Sequence, residues 1–322
     1  MRHDNLVSVV IPTRNRPEMV RRAVHSALDQ THREVEVIVV IDGPDPATVA
    51  SLDLVQDKRL RIVDLAESVG GNEARNIGIR NAQGVWVGLL DDDDEWLPEK
   101  LERQIARAPT AEGRNAIIAC RAYVERSVTK VIWPLRLPLP GEDISEYVFC
   151  RSGVGQGEGL LISSMLLAPR SLFLEVPFDR NVRRHQDTDW ILRAMKSTGA
   201  HLVWAEEPLV IFNLEVNRKS VSRSMDVLPS WTWGNRNALL TKRAYAYFIA
   251  TQLAPRIDPI KHPIMAATVI AAYASRGEVS LRSAGLLLAF LFTSSSFRTT
   301  VIRMLRPLIP GTTVNVPTDA RS

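Results

Sequence analysis

The feature that most constrains the fold is a series of short, mostly apolar runs in the first 105 residues. They are LVSVVI (6–11), VEVIVVI (35–41), LRIVDL (60–65) and VWVGLL (85–90). Helical patterns begin between and after them, near Pro17, Ala47, Glu73 and Pro98. Continuous apolar strands that alternate with helices are typical of a parallel sheet with both faces covered. We therefore predict an α/β fold, with a mostly parallel sheet and helices on both faces.

The rest of the chain is less regular. Residues 116–124 and 128–133 suggest a strand pair, 160–168 a further strand, and 183–199 a helix. From about 235 the pattern is helical. We accordingly predict one large domain over 1–235, a basic helical C-terminal appendage over 236–310, and a disordered tail over 311–322.

Cysteine usage and hydropathy narrow the class of protein. Cys120 and Cys150 are the only two cysteines and are far apart, so we expect neither a disulfide framework nor a zinc site, and a reducing compartment. The N-terminus lacks the apolar region of a signal peptide. No uncharged apolar run reaches the roughly 18 residues of a membrane-spanning helix. A cytoplasmic location is therefore predicted.

The C-terminal appendage carries an excess of positive charge. Residues 236–306 contain ten Lys and Arg against two acids, a local net charge of +8 in a chain of net charge +4. Such a segment suggests an anionic partner. The uncharged run 283–297 is too short to span a bilayer but long enough to lie along one. We consider peripheral attachment to the inner face of the cytoplasmic membrane; the alternative is packing on the main domain or in a homodimer.

The fourth apolar run ends in four consecutive aspartates, 91–94. At about 6 Å and an effective dielectric constant near 20, each pair of carboxylates costs on the order of 3 kcal/mol before screening. The run could be a solvated helix cap, an EF-hand loop, a phosphorylated aspartate or a site for a hard divalent cation. Trp96 stands where an EF-hand needs glycine, which weighs against that alternative.

Polar residues also follow the first two runs. Thr13 and Arg14 come after the first run and Asp42 after the second, as Asp91 comes after the fourth. Ligands of open parallel sheets bind beyond the carboxyl ends of the strands. We therefore expect these residues to line one edge of the sheet.

Two stretches resemble the family-2 glycosyltransferases: VSVVIPTRNRPEMVRRAVHSALDQTHREVEVIVVIDGPD and EARNIGIRNAQGVWVGLLDDDDEW. The resemblance is strong over 6–105 and weaker to about 215. It implies the A-type glycosyltransferase fold and an inverting, metal-dependent enzyme with Mg²⁺ or Mn²⁺. The implied donor is a nucleotide-sugar, expected to be a UDP-sugar, bound by residues 1–115. The implied acceptor is a saccharide or a lipid-linked acceptor, bound by 116–235 during assembly of cell-surface polysaccharide or glycolipid. Nucleic acid is not an expected partner.

The resemblance also assigns site residues. Those implied in donor binding are Pro12, Thr13, Arg14, Asp42, Arg75, Asp91, Asp92 and Arg218. Asp42 is expected to bind the base, and Arg218 belongs to a basic loop over 217–223 that would close on the diphosphate. Asp91 and Asp93 match the outer positions of the D-x-D motif and are implied as metal ligands. For Arg75, a surface salt bridge on a helix is the alternative.

The stretch HQDTDW (185–190) resembles the family's Glu-Asp motif, with Gln186 in place of the Glu. Asp187 then takes the position of the catalytic base and Asp189 is its competitor; helix N-capping is the alternative role for both. His185 is expected to be structural or close to the acceptor. We expect Trp231 and Trp233 to pack in the core rather than to form a platform on which a sugar stacks. Because Gln186 departs from the pattern, a non-catalytic nucleotide-sugar-binding assembly protein remains the rival hypothesis, and a phosphotransferase a third.

Overall fold

A mixed β-sheet organises most of the fold. The computed structural model describes residues 5–108, 115–126, 129–153, 157–213, 225–236 and 238–293. Within them the strands are β1 (Val7–Thr13), β2 (Val35–Ile41), β3 (Leu60–Asp64), β4 (Trp86–Leu89), β5 (Glu95–Trp96), β6 (Ala116–Arg126), β7 (Thr129–Trp133), β8 (Leu167–Pro169) and β9 (His201–Asn213). Their order is β3-β2-β1-β4-β8-β6-β9-β5, and β7 pairs with β6.

The first four strands form a parallel block. Val7 of β1 is in register with Val35 of β2 on one side and with Trp86 of β4 on the other. All seven residues of β2 are buried, as expected for a central strand covered on both faces. β8 is antiparallel to both β4 and β6, and β6 is parallel to β9. The predicted α/β class is therefore confirmed, with a sheet that is parallel in its first half and mixed in its second.

Helices follow the strands as the sequence predicts. Those associated with the sheet are α1 (Pro17–Leu28), α2 (Pro46–Leu52), α3 (Gly71–Asn81), α4 (Lys100–Ile105), α6 (Arg170–Glu175) and α7 (Gln186–Thr198). Pro17 stands at the start of α1, where its missing N–H costs nothing. The side chain of Asp45 caps α2 by accepting a hydrogen bond from Thr48 N.

The chain forms two compact units that interleave along the sequence. The first comprises Met1–Ile132, Leu161–Asn181 and Gln186–Val216. The second comprises Trp133–Leu160, Val182–His185 and, in the C-terminal part, the described residues 225–236 and 238–293. It holds α5 (Ile144–Phe149), α8 (Leu228–Arg236), α9 (Lys242–Phe248), α10 (Pro263–Arg276) and α11 (Leu281–Phe292). None of the described helices is long and apolar enough to cross a bilayer.

An aromatic cluster lies in the core of the second unit. The rings of Phe149, His185, Trp233 and Phe248 lie 4.9–6.3 Å apart in the contacting pairs. His185 also contacts Ser230 Oγ at 2.9 Å. Burial, with the nearby charges of two arginines, lowers the pKa of His185 to about 3. His185 is thus a neutral core residue. Trp233 packs as predicted, whereas Trp231 is only half-buried.

One expectation needs correction. The segment 160–168 is not one strand: a 3₁₀ turn at Ser163–Met165 precedes the short β8. The run that begins at 283 is partly packed, as in the alternative to membrane attachment, because Leu286, Leu287 and Leu291 of α11 are buried. The remainder of that run and the predicted tail 311–322 lie outside the described residues.

Candidate functional site

The carboxyl ends of β2, β1 and β4 bring the predicted donor residues together. These strands are neighbours in the sheet, so Asp42, Thr13 and Asp91 lie at one edge. The backbone N–H of Asp42 donates to Thr13 O at 2.9 Å, which extends the strand pairing into the site. Pro12 lies within β1, opposite Val40 of β2.

Residues 91–94 form a tight turn, closed by a hydrogen bond of 3.0 Å from Asp94 N to Asp91 O. We call it the acidic turn. Its second member, Asp92, faces the first strand and not the other carboxylates. It accepts hydrogen bonds from Thr13 Oγ1 at 2.8 Å and from Arg16 Nη1 at 2.6 Å. Asp92 therefore stabilises the loop after β1 through its contacts with Thr13 and Arg16. No sequence pattern had indicated a role for Arg16.

The other three aspartates of the acidic turn form one cluster. Asp91, Asp93 and Asp94 each offer a carboxylate oxygen, and these oxygens lie within 4.8 Å of one another. Asp94 is only 1% exposed. Burial raises the pKa of the Asp94 carboxyl well above its usual range, and the charges of Asp93 and Asp91 add to the shift. Oxygen ligands crowded in this way fit a hard divalent cation. Asp94 is thus a third candidate ligand beside Asp91 and Asp93, the two that the sequence predicts.

Arg75 connects the acidic turn to α7. Its Nη2 contacts Asp91 Oδ1 at 2.5 Å and its Nη1 donates to Gln186 Oε1 at 3.1 Å. The residue is 8% exposed, so it is not the surface salt bridge considered as the alternative. Gly78, one turn later on α3, lets the helix approach the sheet, because a Cβ there would lie 2.4 Å from a methyl group of Val10.

Asp187 lies in the first turn of α7, beside Arg75. Its carboxylate accepts a hydrogen bond from Ser163 Oγ. Burial raises the pKa of Asp187, and the charge of Asp91 adds to the shift, while Arg75 and Ser163 oppose it. The raised pKa suits a carboxylate that must accept a proton.

Asp189, the competitor, is engaged elsewhere. It forms an ion pair with Arg193 one turn later on α7, with Nε and Oδ2 2.7 Å apart. This contact makes Asp189 a structural residue of α7 and leaves Asp187 as the better candidate for a base.

Asp42 binds the loop before α3. Its carboxylate accepts hydrogen bonds from Val69 N at 2.6 Å, Gly70 N at 3.1 Å and Ser68 Oγ at 3.0 Å. The exposed Arg14 donates to the same Ser68 Oγ at 2.6 Å. Both predicted donor residues therefore shape one loop at the edge of the sheet. Arg218 and its basic loop lie outside the described residues.

Comparison with known proteins identifies the family. Residues 8–173 match the family model described as "Glycosyl transferase family 2". The chain is similar to the amylovoran biosynthesis glycosyltransferase AmsB of Erwinia amylovora, with 30% identity over 236 residues, which cover 70% of this chain and 75% of that protein.

Solved structures show the same fold at low identity. S. aureus TarS 1–349 in complex with UDP-GlcNAc has a TM-score of 0.55 and 15% identity, covering 89% of this chain and 79% of that one. Mannosyltransferase PcManGT of Pyrobaculum calidifontis, in complex with GDP-Man and Mn²⁺, has a TM-score of 0.51 and 18% identity, covering 91% and 82%. The predictions of family and fold are confirmed: the chain belongs to glycosyltransferase family 2 and is a glycosyltransferase of the A-type fold.

Proposed function

We propose that this glycosyltransferase is metal-dependent and inverting, and that it moves a sugar from a UDP-sugar to an acceptor hydroxyl. The observation that carries the proposal is the double contact of Arg75, to Asp91 at 2.5 Å and to Gln186 at 3.1 Å. One buried guanidinium thus lies between the acidic turn and the residue that precedes Asp187. Transfer needs charge stabilisation at the departing diphosphate and a base at the attacking hydroxyl, and these groups supply both.

The metal would be Mg²⁺ or Mn²⁺, held by Asp91, Asp93 and Asp94. Carboxylate oxygens within 4.8 Å of one another are the hard ligands that these ions prefer. When bound, the cation would offset the negative charge that grows on the diphosphate. The Mn²⁺ in the mannosyltransferase complex supports this choice.

Asp187 would act as the base. It would take the proton of the acceptor hydroxyl while that oxygen forms a bond to the anomeric carbon. The bond from the anomeric carbon to the diphosphate oxygen breaks, and the nucleoside diphosphate leaves from the opposite face. Arg75, next to both carboxylates, would hold Asp91 toward the donor and limit the rise in the pKa of Asp187.

We infer UDP as the nucleotide from the UDP-GlcNAc complex of TarS, and assembly of cell-surface polysaccharide or glycolipid from the biosynthetic role that the name of AmsB states. The GDP-Man complex shows that this fold also takes another nucleotide. The deciding experiment is therefore a panel of UDP- and GDP-sugars with Mn²⁺, read out as release of nucleoside diphosphate. Release from a UDP-sugar that stops on chelation would support the proposal.

Two variants test the base. Asp187→Asn should lower turnover by about 10²–10⁴-fold while leaving UDP affinity near that of the parent. Asp189→Asn, which perturbs the ion pair with Arg193, is the control and should cost much less. Equal rates for the parent and Asp187→Asn would rule out this base. Tight donor binding without any release would favour the non-catalytic assembly protein that Gln186 suggests.

We also propose that the second unit binds an anionic membrane surface. Two exposed apolar residues each precede a basic one: Ile260, 90% exposed, before Lys261, and Leu281, 97% exposed, before Arg282. Apolar insertion combined with basic charge is how peripheral proteins bind anionic lipids. These two exposed pairs, rather than the partly buried α11, are the proposed contact, and they fit attachment at the inner face of the cytoplasmic membrane.

Flotation with vesicles that contain phosphatidylserine tests the membrane contact. The double variant Ile260→Glu/Leu281→Glu should float less than the parent, because it adds two negative charges and removes two apolar side chains. Leu54→Glu is the matched control, since Leu54 is 70% exposed but lies in the first unit. Equal recovery of all three proteins would exclude this surface. Loss of a dimer in the double variant alone would indicate a homodimer contact instead.

A further inference from the structure

Two consecutive serines contact the two chemical centres of the site. Ser163 and Ser164 lie in the 3₁₀ turn Ser163–Met165, just before β8, and both are fully buried. They are far from the acidic turn and from α7 in sequence. A buried hydroxyl is retained at a cost unless its hydrogen bonds are made. The partners of these two hydroxyls therefore indicate their purpose.

Ser164 holds the acidic turn at both ends. Its Oγ donates to Asp94 Oδ2 at 2.6 Å and accepts from the backbone N–H of Asp91 at 3.1 Å. Its carbonyl oxygen accepts from Trp96 Nε1 at 2.9 Å. One residue thus fixes the first and fourth members of the acidic turn and the side chain that follows it.

Ser163 holds the base. Its Oγ donates to Asp187 Oδ1, and its backbone N–H also interacts with this carboxylate. The contact fixes the rotation of the carboxylate at the first turn of α7.

The turn that carries both serines is itself anchored. The side-chain amide of Gln104 on α4 donates to Met165 O at 2.9 Å and to Ile118 O of β6 at 2.8 Å. Adjacent Cα atoms are about 3.8 Å apart, so the two serines cannot move independently. A shift at one would be transmitted to the other.

We propose that Ser163 and Ser164 are a pair of positioning residues that sets the distance between the proton-accepting carboxylate and the acidic turn. The inference rests on the proposed function, because it assigns Asp187 to proton transfer and the acidic turn to the metal. Neither serine touches the substrate in this scheme. Ser163 acts through Asp187, and Ser164 acts through Asp91 and Asp94.

The pair predicts two different kinetic signatures. Ser164→Ala should weaken Mn²⁺-dependent UDP binding by about 10–100-fold, the usual effect of removing a group that orients metal ligands. Its turnover at saturating metal and donor should change much less. Ser163→Ala should lower kcat by about 10-fold or more, because a misplaced catalytic group costs rate. Its UDP affinity, with and without Mn²⁺, should stay at the parent value.

Ser8→Ala is the matched control. Ser8 is fully buried, donates to Glu36 Oε1 at 2.6 Å and accepts from Gly84 N at 2.8 Å, the same pattern as Ser164. Ser8 is the second residue of β1, and Thr13, which lies in the site, is the last residue of the same strand. If Ser163 and Ser164 had only a structural role, Ser8→Ala, Ser163→Ala and Ser164→Ala should lower the melting temperature by similar amounts. None of the three should then change kcat or UDP affinity.

The experiment combines UDP titration by calorimetry, with and without Mn²⁺, with steady-state kinetics and a melting curve for each variant. Ser163→Cys and Ser164→Cys are nearly isosteric and weaken the hydrogen bond, so they replace any alanine variant that does not fold. Weaker Mn²⁺-dependent UDP binding in Ser164→Ala, together with a lower kcat in Ser163→Ala, supports the positioning pair. Parent values of UDP affinity and kcat in both variants overturn it. A parent whose UDP binding ignores Mn²⁺ refutes the metal site and the role of Ser164. Normal kcat in Ser163→Ala refutes Ser163 separately.

Discussion

Lys100 allows a quantitative test of the packing beneath the acidic turn. This lysine on α4 is fully buried. Its Nζ lies 3.8 Å from the centroid of the Trp96 ring and donates to Gln104 Oε1 at 2.6 Å. No carboxylate among the described residues forms an ion pair with Lys100. The ring of Trp96 and the side-chain amide of Gln104 contact the ammonium instead. Burial lowers the pKa of Lys100 to about 8 from 10.5.

The perturbation is Lys100→Met, which keeps the apolar length and removes the charge. A shift of that size corresponds to roughly 3 kcal/mol of destabilisation of the charged form, at about 1.4 kcal/mol per pKa unit. The substitution also leaves Gln104 Oε1 without its donor, which costs about 1–3 kcal/mol. At pH 7 these effects nearly cancel, and we expect the variant to lie between neutral and about 2 kcal/mol more stable.

The pH dependence separates the two effects. Below pH 8 both the folded and the unfolded chain carry the proton, and the folded state bears the full cost of a buried charge. Between pH 8 and 10.5 the unfolded chain binds more protons, so the free energy of unfolding rises with pH. From pH 7 to 10 the parent should therefore gain about 2.5 kcal/mol relative to Lys100→Met.

The assay is urea unfolding at pH 7, 8, 9 and 10, followed by tryptophan fluorescence. Groups that titrate in this range without interacting with Lys100 contribute to parent and variant alike and drop out of the difference. Cys120 is the exception, because the charge of Lys100 opposes the rise that burial causes in the pKa of its thiol. Lys196→Met, at an exposed lysine on α7, is the control and should stay within about 0.5 kcal/mol of the parent at every pH. Parallel curves for the parent and Lys100→Met would refute the reasoning about a buried charged amine.

Three further predictions concern the site. Mn²⁺ at about 100 times its dissociation constant should raise the free energy of unfolding of the parent by about 2.7 kcal/mol. Asp93→Asn should abolish this stabilisation, which is measured by unfolding with and without Mn²⁺. Because the pKa of Asp187 is raised by burial and by Asp91, kcat/KM should fall with decreasing pH through a value above that of an ordinary aspartate; a pH–rate profile with its acidic limb at the ordinary value would contradict this. Arg75→Lys keeps the charge but cannot contact Asp91 and Gln186 together, so diphosphate release should slow by about 10-fold or more while the melting temperature changes little.

The local parts of the fold could be predicted from the sequence. β2 was predicted residue by residue, because a central parallel strand is apolar throughout and its signal needs no knowledge of its neighbours. β9 was not predicted: Glu206, Glu207 and Pro208 interrupt its apolar pattern. Its pairing with β6 shifts register around Arg121, so it owes its extended form to β6 rather than to its own periodicity.

The same distinction holds for the site: residues at strand ends could be predicted from the sequence, and long-range contacts could not. Asp42 and Asp91 could be placed together because Asp42 directly follows β2 and Asp91 comes two residues after the end of β4, in the parallel part of the sheet. The contacts of Ser163 and Ser164 span 24 to 73 residues of sequence, and no local pattern marks them. Asp94 was visible as one of four aspartates, but its closeness to Asp91 and Asp93 is what distinguishes it from Asp92, which is buried as well.

The interleaving of the two units limits how the second unit could be exchanged with that of a relative. A chimera joined at a single point near 235 would separate Phe248 from Phe149 and Trp233, its partners in one aromatic cluster. The graft would have to carry 133–160, 182–185 and the C-terminal helices as one set. The junction after His185 would be the most sensitive to change. His185 has a φ of +65°, and the next two residues are Gln186 and Asp187 of the site. The second unit would therefore change more readily by substitution inside these segments than by recombination between them.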